Sequence, residues 1–155
     1  MLMGNGAFDF LKEYVVSDEH EKNNKKHIFY RLSPDTIEKA EEALGRQFPE
    51  QLKKFYIEIG YGYFYDKEMT DINLFMSPRQ IVEYYQGTGN YVYSEDREFK
   101  KADELVFFEL DSNVHMTIKT EGENTGKIFF GHKTIAAEDL ESFVKLLDEN
   151  SGYYF

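Results

Sequence analysis

The spacing of the hydrophobic residues changes midway along this chain, and that change limits the possible folds more than any other feature. In the first half, the apolar residues follow the spacing i, i+3, i+4 and i+7, which places them on one face of a helix; they are Leu52, Phe55, Tyr56 and Ile59. In the second half, the apolar runs ELVFFEL and VHMTIK are separated by the turn-forming segment DSN. Helices followed by hairpins predict an α+β domain, and 155 residues fit one domain spanning 1–155.

The boundaries of each element follow from the same patterns. Helices are predicted over 34–45, 49–59, 78–86 and 138–149, with a shorter one over 8–16. Strands are predicted over 72–76, 105–110, 114–118 and 127–131, and in the run IFYRL. The last three of the numbered strands are joined by short turns, so they should form an antiparallel meander, with the closing helix after it.

Capping residues mark the ends of the predicted helices. Ser33 suits the cap of the helix over 34–45, and Gly45 suits its end. Ser77 and Gln80 have the spacing of a capping box, in which each side chain bonds the other's backbone N–H. Gly60 should end the helix before it with a positive φ angle, because glycine enters that conformation without a side-chain clash.

The segment GYGYFY, which starts at Gly60, is crowded with aromatic residues. Its tyrosines and Phe64 are expected to enter a strand or a tight crossing of the chain. Gly62 indicates a bulge or a close approach of another backbone segment. By residue type, core packing is the role that this segment favours.

Composition excludes several classes of function. The net charge is −11, which repels phosphate groups and argues against binding of nucleic acid, while it favours encounters with basic partners. There is no cysteine, and no apolar run approaches the roughly 20 residues that a membrane helix needs. The start of the chain has no basic and apolar signal segment. These features predict a cytoplasmic protein without a membrane partner; none of them predicts an oligomeric state.

Motifs for catalysis and for phosphate or metal binding are all incomplete. GENTGKI lacks the spacing and the hydroxyl residue of a phosphate-binding loop, so it is interpreted as a hairpin turn. The histidines do not have the spacing of a zinc site. His115 or His132 could serve as a general base, but no neighbouring motif supports either. We predict no catalytic residue, no metal ligand and no cofactor, and a protein that is not an enzyme.

One long segment resembles a known family. IEKAEEALGRQFPEQLKKFYIEIGYGYF is similar to the hallmark segment of the SUKH superfamily, the Smi/Knr-like proteins. The matching positions are Ile37, Glu41, Leu44, Gly45, Pro49, Leu52, Phe55 and Gly60. INLFMSPRQIVEYY, the hairpins and TIAAEDLESFVKLL extend the resemblance over residues 27–148. The chain departs from the family where an adjacent glycine pair is spread as Gly60 and Gly62.

The resemblance implies an α+β fold around one twisted, mainly antiparallel sheet, flanked by N-terminal helices and one C-terminal helix. It also implies a protein-binding role without a general catalytic activity or cofactor. Many bacterial members are immunity proteins that neutralise a cognate polymorphic toxin, often a nuclease or a deaminase. Others are regulatory or scaffolding modules, such as fungal cell-wall regulators. The acidic charge of this chain favours the first reading, because nucleases are usually basic around the phosphate site.

A surface for the basic toxin is predicted in the segment GNYVYSEDREF. On a strand, Tyr91 and Tyr93 would share one exposed face while Val92 faced the core. Glu95 and Asp96 follow directly and could engage basic side chains. The same reasoning applies more weakly to three carboxylates after GYGYFY, namely Asp66, Glu68 and Asp71. The alternative is that the two tyrosines are half-buried packing residues.

Overall fold

The fold is described from a computed structural model, which describes residues 6–16, 26–64, 72–91, 103–111, 114–130 and 134–149. Four α-helices lie in this part of the chain: α1 (Pro34–Leu44), α2 (Glu50–Glu58), α3 (Pro78–Gln86) and α4 (Leu140–Glu149). Two 3₁₀ helices span Asp9–Tyr14 and Gly89–Tyr91. The strands are β1 (Val15–Val16), β2 (His27–Tyr30), β3 (Tyr61–Phe64), β4 (Leu74–Phe75), β5 (Glu104–Asp111), β6 (Val114–Lys119), β7 (Ile128–Phe130) and β8 (Thr134–Ala137).

The described strands form one open sheet whose order in space is their order in the chain, from β1 to β8. Only β1 and β2 pair in parallel, and every later pair is antiparallel. The α+β class and the mainly antiparallel sheet are confirmed. Two short strands at the edges, β1 and β8, were not predicted, because two residues and the small-residue run TIAA carry almost no periodic signal.

One face of the sheet carries a continuous row of apolar side chains across five strands. Phe29, Gly62, Phe75, Phe108 and Met116 are successive register partners, so their side chains point to the same side. All four side chains in the row are fully buried. We call this side the phenylalanine face.

Two helices cover the phenylalanine face. The ring of Phe55 on α2 stacks on Phe75 with 3.9 Å between centroids, and Phe143 on α4 meets Phe108 edge-on at 5.2 Å. Aromatic side chains bury about 150–250 Å² each, so this layer contributes strongly to the hydrophobic stabilisation. The amphipathic patterns of α2 and α4 are therefore explained by this contact.

Helix boundaries follow the predicted caps, with one exception. The capping box of α3 is present: the Ser77 N–H donates to Gln80 Oε1 at 2.8 Å, and the Gln80 N–H donates to Ser77 Oγ at 3.1 Å. Gly45 ends α1 at φ +70°. Ser33 does occupy the cap position of α1, but its hydroxyl donates to the carboxylate of Asp35 and caps no helical N–H.

Two glycines let the backbone of β3 lie close against that of β2. Gly60 has φ +119°, as predicted, and a Cβ atom there would lie 2.0 Å from the carbonyl oxygen of Tyr30. At Gly62 a Cβ atom would lie 2.1 Å from the carbonyl oxygen of Ile28. No side chain fits such a space without a backbone shift, so the predicted close approach at Gly62 is confirmed.

Candidate partner-binding face

The opposite side of the sheet carries a different row. Ile28, Tyr63, Leu74, Glu109 and His115 are successive register partners on β2 to β6. They alternate with the phenylalanine row along each strand, so they point away from α2 and α4. Polar and aromatic residues thus share this face, in contrast to the purely apolar row behind it.

A pair of tyrosines extends this face at β2 and β3. Tyr30 and Tyr61 are register partners, and their ring centroids lie 5.6 Å apart. Together with Tyr63 they form what we call the tyrosine face. All three side chains are half-buried, while Ile28, which is the register partner of Tyr63 on the same side, is buried. The rings therefore lie beside an apolar residue and keep part of their surface in solvent.

The remainder of this side, over β5 and β6, is covered by α3 and the 3₁₀ helix after it. Tyr84 of α3 packs against the ring of His115 at 4.8 Å. The hydroxyl of Tyr91 donates to Glu109 Oε1 at 2.7 Å. Burial, together with the charge of Glu109, raises the pKa of Tyr91, so this phenol stays protonated and keeps donating at neutral pH.

The placement of Tyr91 corrects the predicted surface. Tyr91 ends a 3₁₀ helix instead of lying on a strand, and only 6% of its side chain is exposed. The reason is the turn before it: Gly87 and Gly89 both have positive φ angles, and the Tyr91 N–H donates to the carbonyl of Thr88. These turns direct the ring onto the sheet, so the packing alternative is correct for Tyr91.

The other residues of the predicted surface lie outside the described part of the chain. They are Tyr93, Glu95, Asp96, Asp66, Glu68 and Asp71. Two of the described residues that flank them, Ile72 and Tyr91, contact the same end of β5. Ile72, which follows one segment, donates its N–H to the carbonyl of Leu110 at 2.9 Å, and Tyr91, which precedes the other, contacts Glu109. A contact of these residues with a partner stays a prediction.

Of the two histidines considered for general-base chemistry, His115 lies within the described residues and is not accessible. His115 is 1% exposed beneath Tyr84 and Tyr91, so a substrate cannot reach its ring without displacing them. His132 lies outside the described residues. Among the residues that the structure describes, no three histidine or carboxylate side chains come together as metal ligands.

A charged cluster lies on the phenylalanine side, at the end of α4. The ring of His27 is fully buried between Tyr14 and Phe64, and its Nε2 lies 2.8 Å from Asp148 Oδ1. Lys26 also binds Asp148, at 2.9 Å. Burial lowers the pKa of His27 although the hydrogen bond to Asp148 opposes it, so the ring is neutral at pH 7.

The charge of Asp148 is maintained in this cluster. Burial opposes its ionisation, but the hydrogen bonds from Lys26 and His27 outweigh that effect and lower the pKa of Asp148. The arrangement ties the last turn of α4 to β2. It is a structural link between distant parts of the chain rather than an exposed reactive group.

The family of the chain follows from its comparison with known sequences. The model of the SMI1/KNR4 family (SUKH-1) matches residues 31–149, which include α1 to α4 and the strands from β3 to β8. This chain belongs to the SMI1/KNR4 family. The earlier resemblance to this superfamily is therefore confirmed.

The chain is also similar to a protein with a known name over most of its length. The chain is 29% identical over 136 residues to the immunity protein YxxD of Bacillus subtilis (strain 168), covering 86% of this chain and 91% of that protein. No solved structure matches the chain significantly. In the described residues, no helix is long and apolar enough to cross a membrane.

Sequence reasoning did not single out Tyr30 and Tyr61 as site candidates. A signal was present, since Tyr61 and Tyr63 alternate around a glycine, which places both rings on one face of a strand. The pairing of Tyr61 with Tyr30 has no sequence signal, because it depends on the register between β2 and β3.

Proposed function

We propose that this protein is an immunity protein that neutralises a cognate toxin by binding it directly in the cytoplasm. The observation that carries the proposal is the combined match to the SMI1/KNR4 family and, over 86% of the chain, to an immunity protein. That similarity covers both the helical half and the sheet, so it involves the whole scaffold rather than one shared motif.

Neutralisation by occlusion needs no catalysis, and the chemistry of the chain agrees with that. The two histidines that the structure describes, His27 and His115, are buried and packed against aromatic rings. Binding alone inhibits a toxin if the bound protein covers the groups that the toxin uses. We propose that this is how the chain acts, without a cofactor.

Charge supports a basic toxin. A net charge of −11 speeds association with a positively charged surface, and a nuclease or deaminase that binds nucleic acid presents such a surface. This attraction acts between exposed charges and is screened over roughly 8–10 Å at physiological salt. The association rate should therefore fall markedly from low to physiological salt, whereas a salt-independent rate would contradict a basic partner.

The experiment is a capture followed by a protection assay. Tagged protein is used to capture partners from the native strain, and the captured toxin domain is then expressed in a heterologous bacterium with and without this protein. Growth restored by co-expression, together with a stable complex, supports immunity. Capture of a cell-wall or transcription regulator, with no protection against any toxin encoded beside the gene, would instead support the regulatory alternative.

A further inference from the structure

We infer that the tyrosine face, Tyr30, Tyr61 and Tyr63, is the surface that contacts the toxin, and that it receives arginine or lysine side chains of a basic protein. This inference rests on the proposed immunity function and specifies where the partner binds. It replaces the exposed-strand geometry first predicted for Tyr91, which the structure shows to be buried.

The first argument is the distribution of burial across one side of the sheet. Toward β5 and β6, Tyr84 and Tyr91 lie over His115 and Glu109 and close the surface. Toward β2 and β3, the rings of the tyrosine face are half-buried and keep part of their surface in solvent. The same side of one sheet thus passes from a closed part to a partly exposed part, which we call the open part.

The second argument is that the open part is already ordered. The rings of Tyr30 and Tyr61 contact each other at 5.6 Å, and the strands that carry them are fixed by four register pairs. The glycines on either side of Tyr61 bring β3 against β2 so closely that the backbone there has little room to move. A binding partner would therefore pay little conformational entropy to order these rings.

The third argument is the chemistry of the occupant. Tyrosine rings attract cations to their faces, at roughly 6 Å or less from the centroid, and tyrosine is enriched among residues that dominate binding. Glu109 lies in the same cross-strand row, separated from Tyr63 by Leu74 alone, and adds a negative charge at the border of the face. With a net charge of −11 around it, the face fits a basic protein surface rather than an acidic one.

The molecule also offers a matched control. Ile57 on α2 is 61% exposed and lies on the helix that covers the opposite side of the sheet. It presents more apolar surface to solvent than any residue of the tyrosine face. Exposure of apolar surface alone would favour Ile57 as the contact, whereas the present inference favours Tyr61.

The test compares Tyr61→Arg with Ile57→Arg, using the captured toxin domain as the probe and calorimetry to measure binding. We expect Tyr61→Arg to weaken binding by about 10-fold or more, as for a central interface residue, and Ile57→Arg to change it less than about threefold. Equal binding by the wild type and both variants would overturn the assigned face while leaving the immunity function intact. No binding by the wild type would instead refute the proposed function itself.

A second measurement keeps the test decisive if Tyr61→Arg does not fold. Hydroxyl-radical footprinting of the wild-type protein reports the solvent exposure of individual side chains, including the tyrosines and Ile57, with and without the toxin domain. Protection of Tyr30 and Tyr61, with Ile57 unchanged, supports the inference. Protection of Ile57 without Tyr30 and Tyr61 would place the toxin on the α2 side and overturn it.

Discussion

The two faces of the sheet are built on the same strands but differ in what covers them. The phenylalanine face is closed by α2 and α4, and its row is fully buried. The other face is closed by α3 and a 3₁₀ helix over β5 and β6 and is half-open over β2 and β3. From this difference we infer that the phenylalanine face stabilises the fold, whereas the partly exposed face is available for recognition.

The difference between the two faces is tested most directly by replacing one aromatic residue on each face with alanine. Phe75→Ala should lower the free energy of unfolding by about 3–5 kcal/mol, because it removes a buried ring that stacks on Phe55. Tyr61→Ala should cost clearly less, since its ring is only half-buried. Urea unfolding measures both values.

Equal losses from Phe75→Ala and Tyr61→Ala would show that the tyrosine face is as important for stability as the phenylalanine face. The division between a stabilising and a recognising face would then be wrong.

The close pairing of β3 with β2 is shared by both faces of the sheet. Two glycine substitutions can measure how much the tight contact at Gly60 contributes to stability. Gly60→Val should destabilise the protein by roughly 1–2 kcal/mol or more, because the residue has a positive φ angle and its Cβ would meet the Tyr30 carbonyl. Gly45→Val is the control: its φ is also positive, but no atom lies within 4 Å of its Cβ position. Thermal unfolding of both variants gives the difference.

If the two glycine variants lost the same stability, the close contact with Tyr30 would contribute nothing. The cost at Gly60 would then come only from the backbone conformation.

Removal of one hydroxyl tests the closed part over β5 and β6, on the same side of the sheet as the tyrosine face. Tyr91→Phe should cost about 1–2 kcal/mol, because it leaves the partly buried Glu109 without the donor that Tyr91 supplies. Tyr61→Phe, on the open part, should be nearly neutral for folding. Chemical denaturation that shows no loss for Tyr91→Phe would contradict a closed, hydrogen-bonded cluster there.

The smallest effect concerns pH and the charged cluster of Lys26, His27 and Asp148 on the phenylalanine side. The pKa of His27 is lowered in the folded protein, so below its unfolded value of about 6.5 the unfolded state takes up a proton that the folded state resists. The contribution of His27 to stability should therefore be constant above that pH and decrease as the pH falls below it. His27→Gln keeps a donor for Asp148 but cannot titrate.

The pH test compares the free energies of unfolding of the wild type and His27→Gln between pH 7 and 5. The variant should lose less stability over this window than the wild type. Parallel curves would show that His27 has the same proton affinity in both states.

The parts of the fold that sequence predicted well are those set by local rules. The capping box of Ser77 and Gln80 and the positive φ of Gly60 depend on a few neighbouring residues, and both are present. The position of α2 agrees because its hydrophobic residues recur with a helical period, and that of β5 agrees because its apolar run is continuous and is followed by a turn-forming segment.

The candidate site was harder to predict because it depends on distant pairs. Tyr91 was expected on an exposed strand, yet its environment is set by Glu109 and His115, which approach it only through folding. Likewise, the proximity of Tyr30 and Tyr61 follows from the register of β2 with β3. Alternation along one strand shows which residues share a face, but it does not show whether a helix will cover that face.

The order of the strands has a consequence for how the protein is made. Because each strand pairs with its neighbour in the chain, the sheet can grow hairpin by hairpin while the ribosome is still synthesising later residues. The bond between His27 and Asp148 breaks this pattern, since 121 positions separate the two residues. It can form only when α4 has left the ribosome, so a truncated chain that lacks α4 would leave His27 without Asp148 and Phe108 without the ring of Phe143 that covers it.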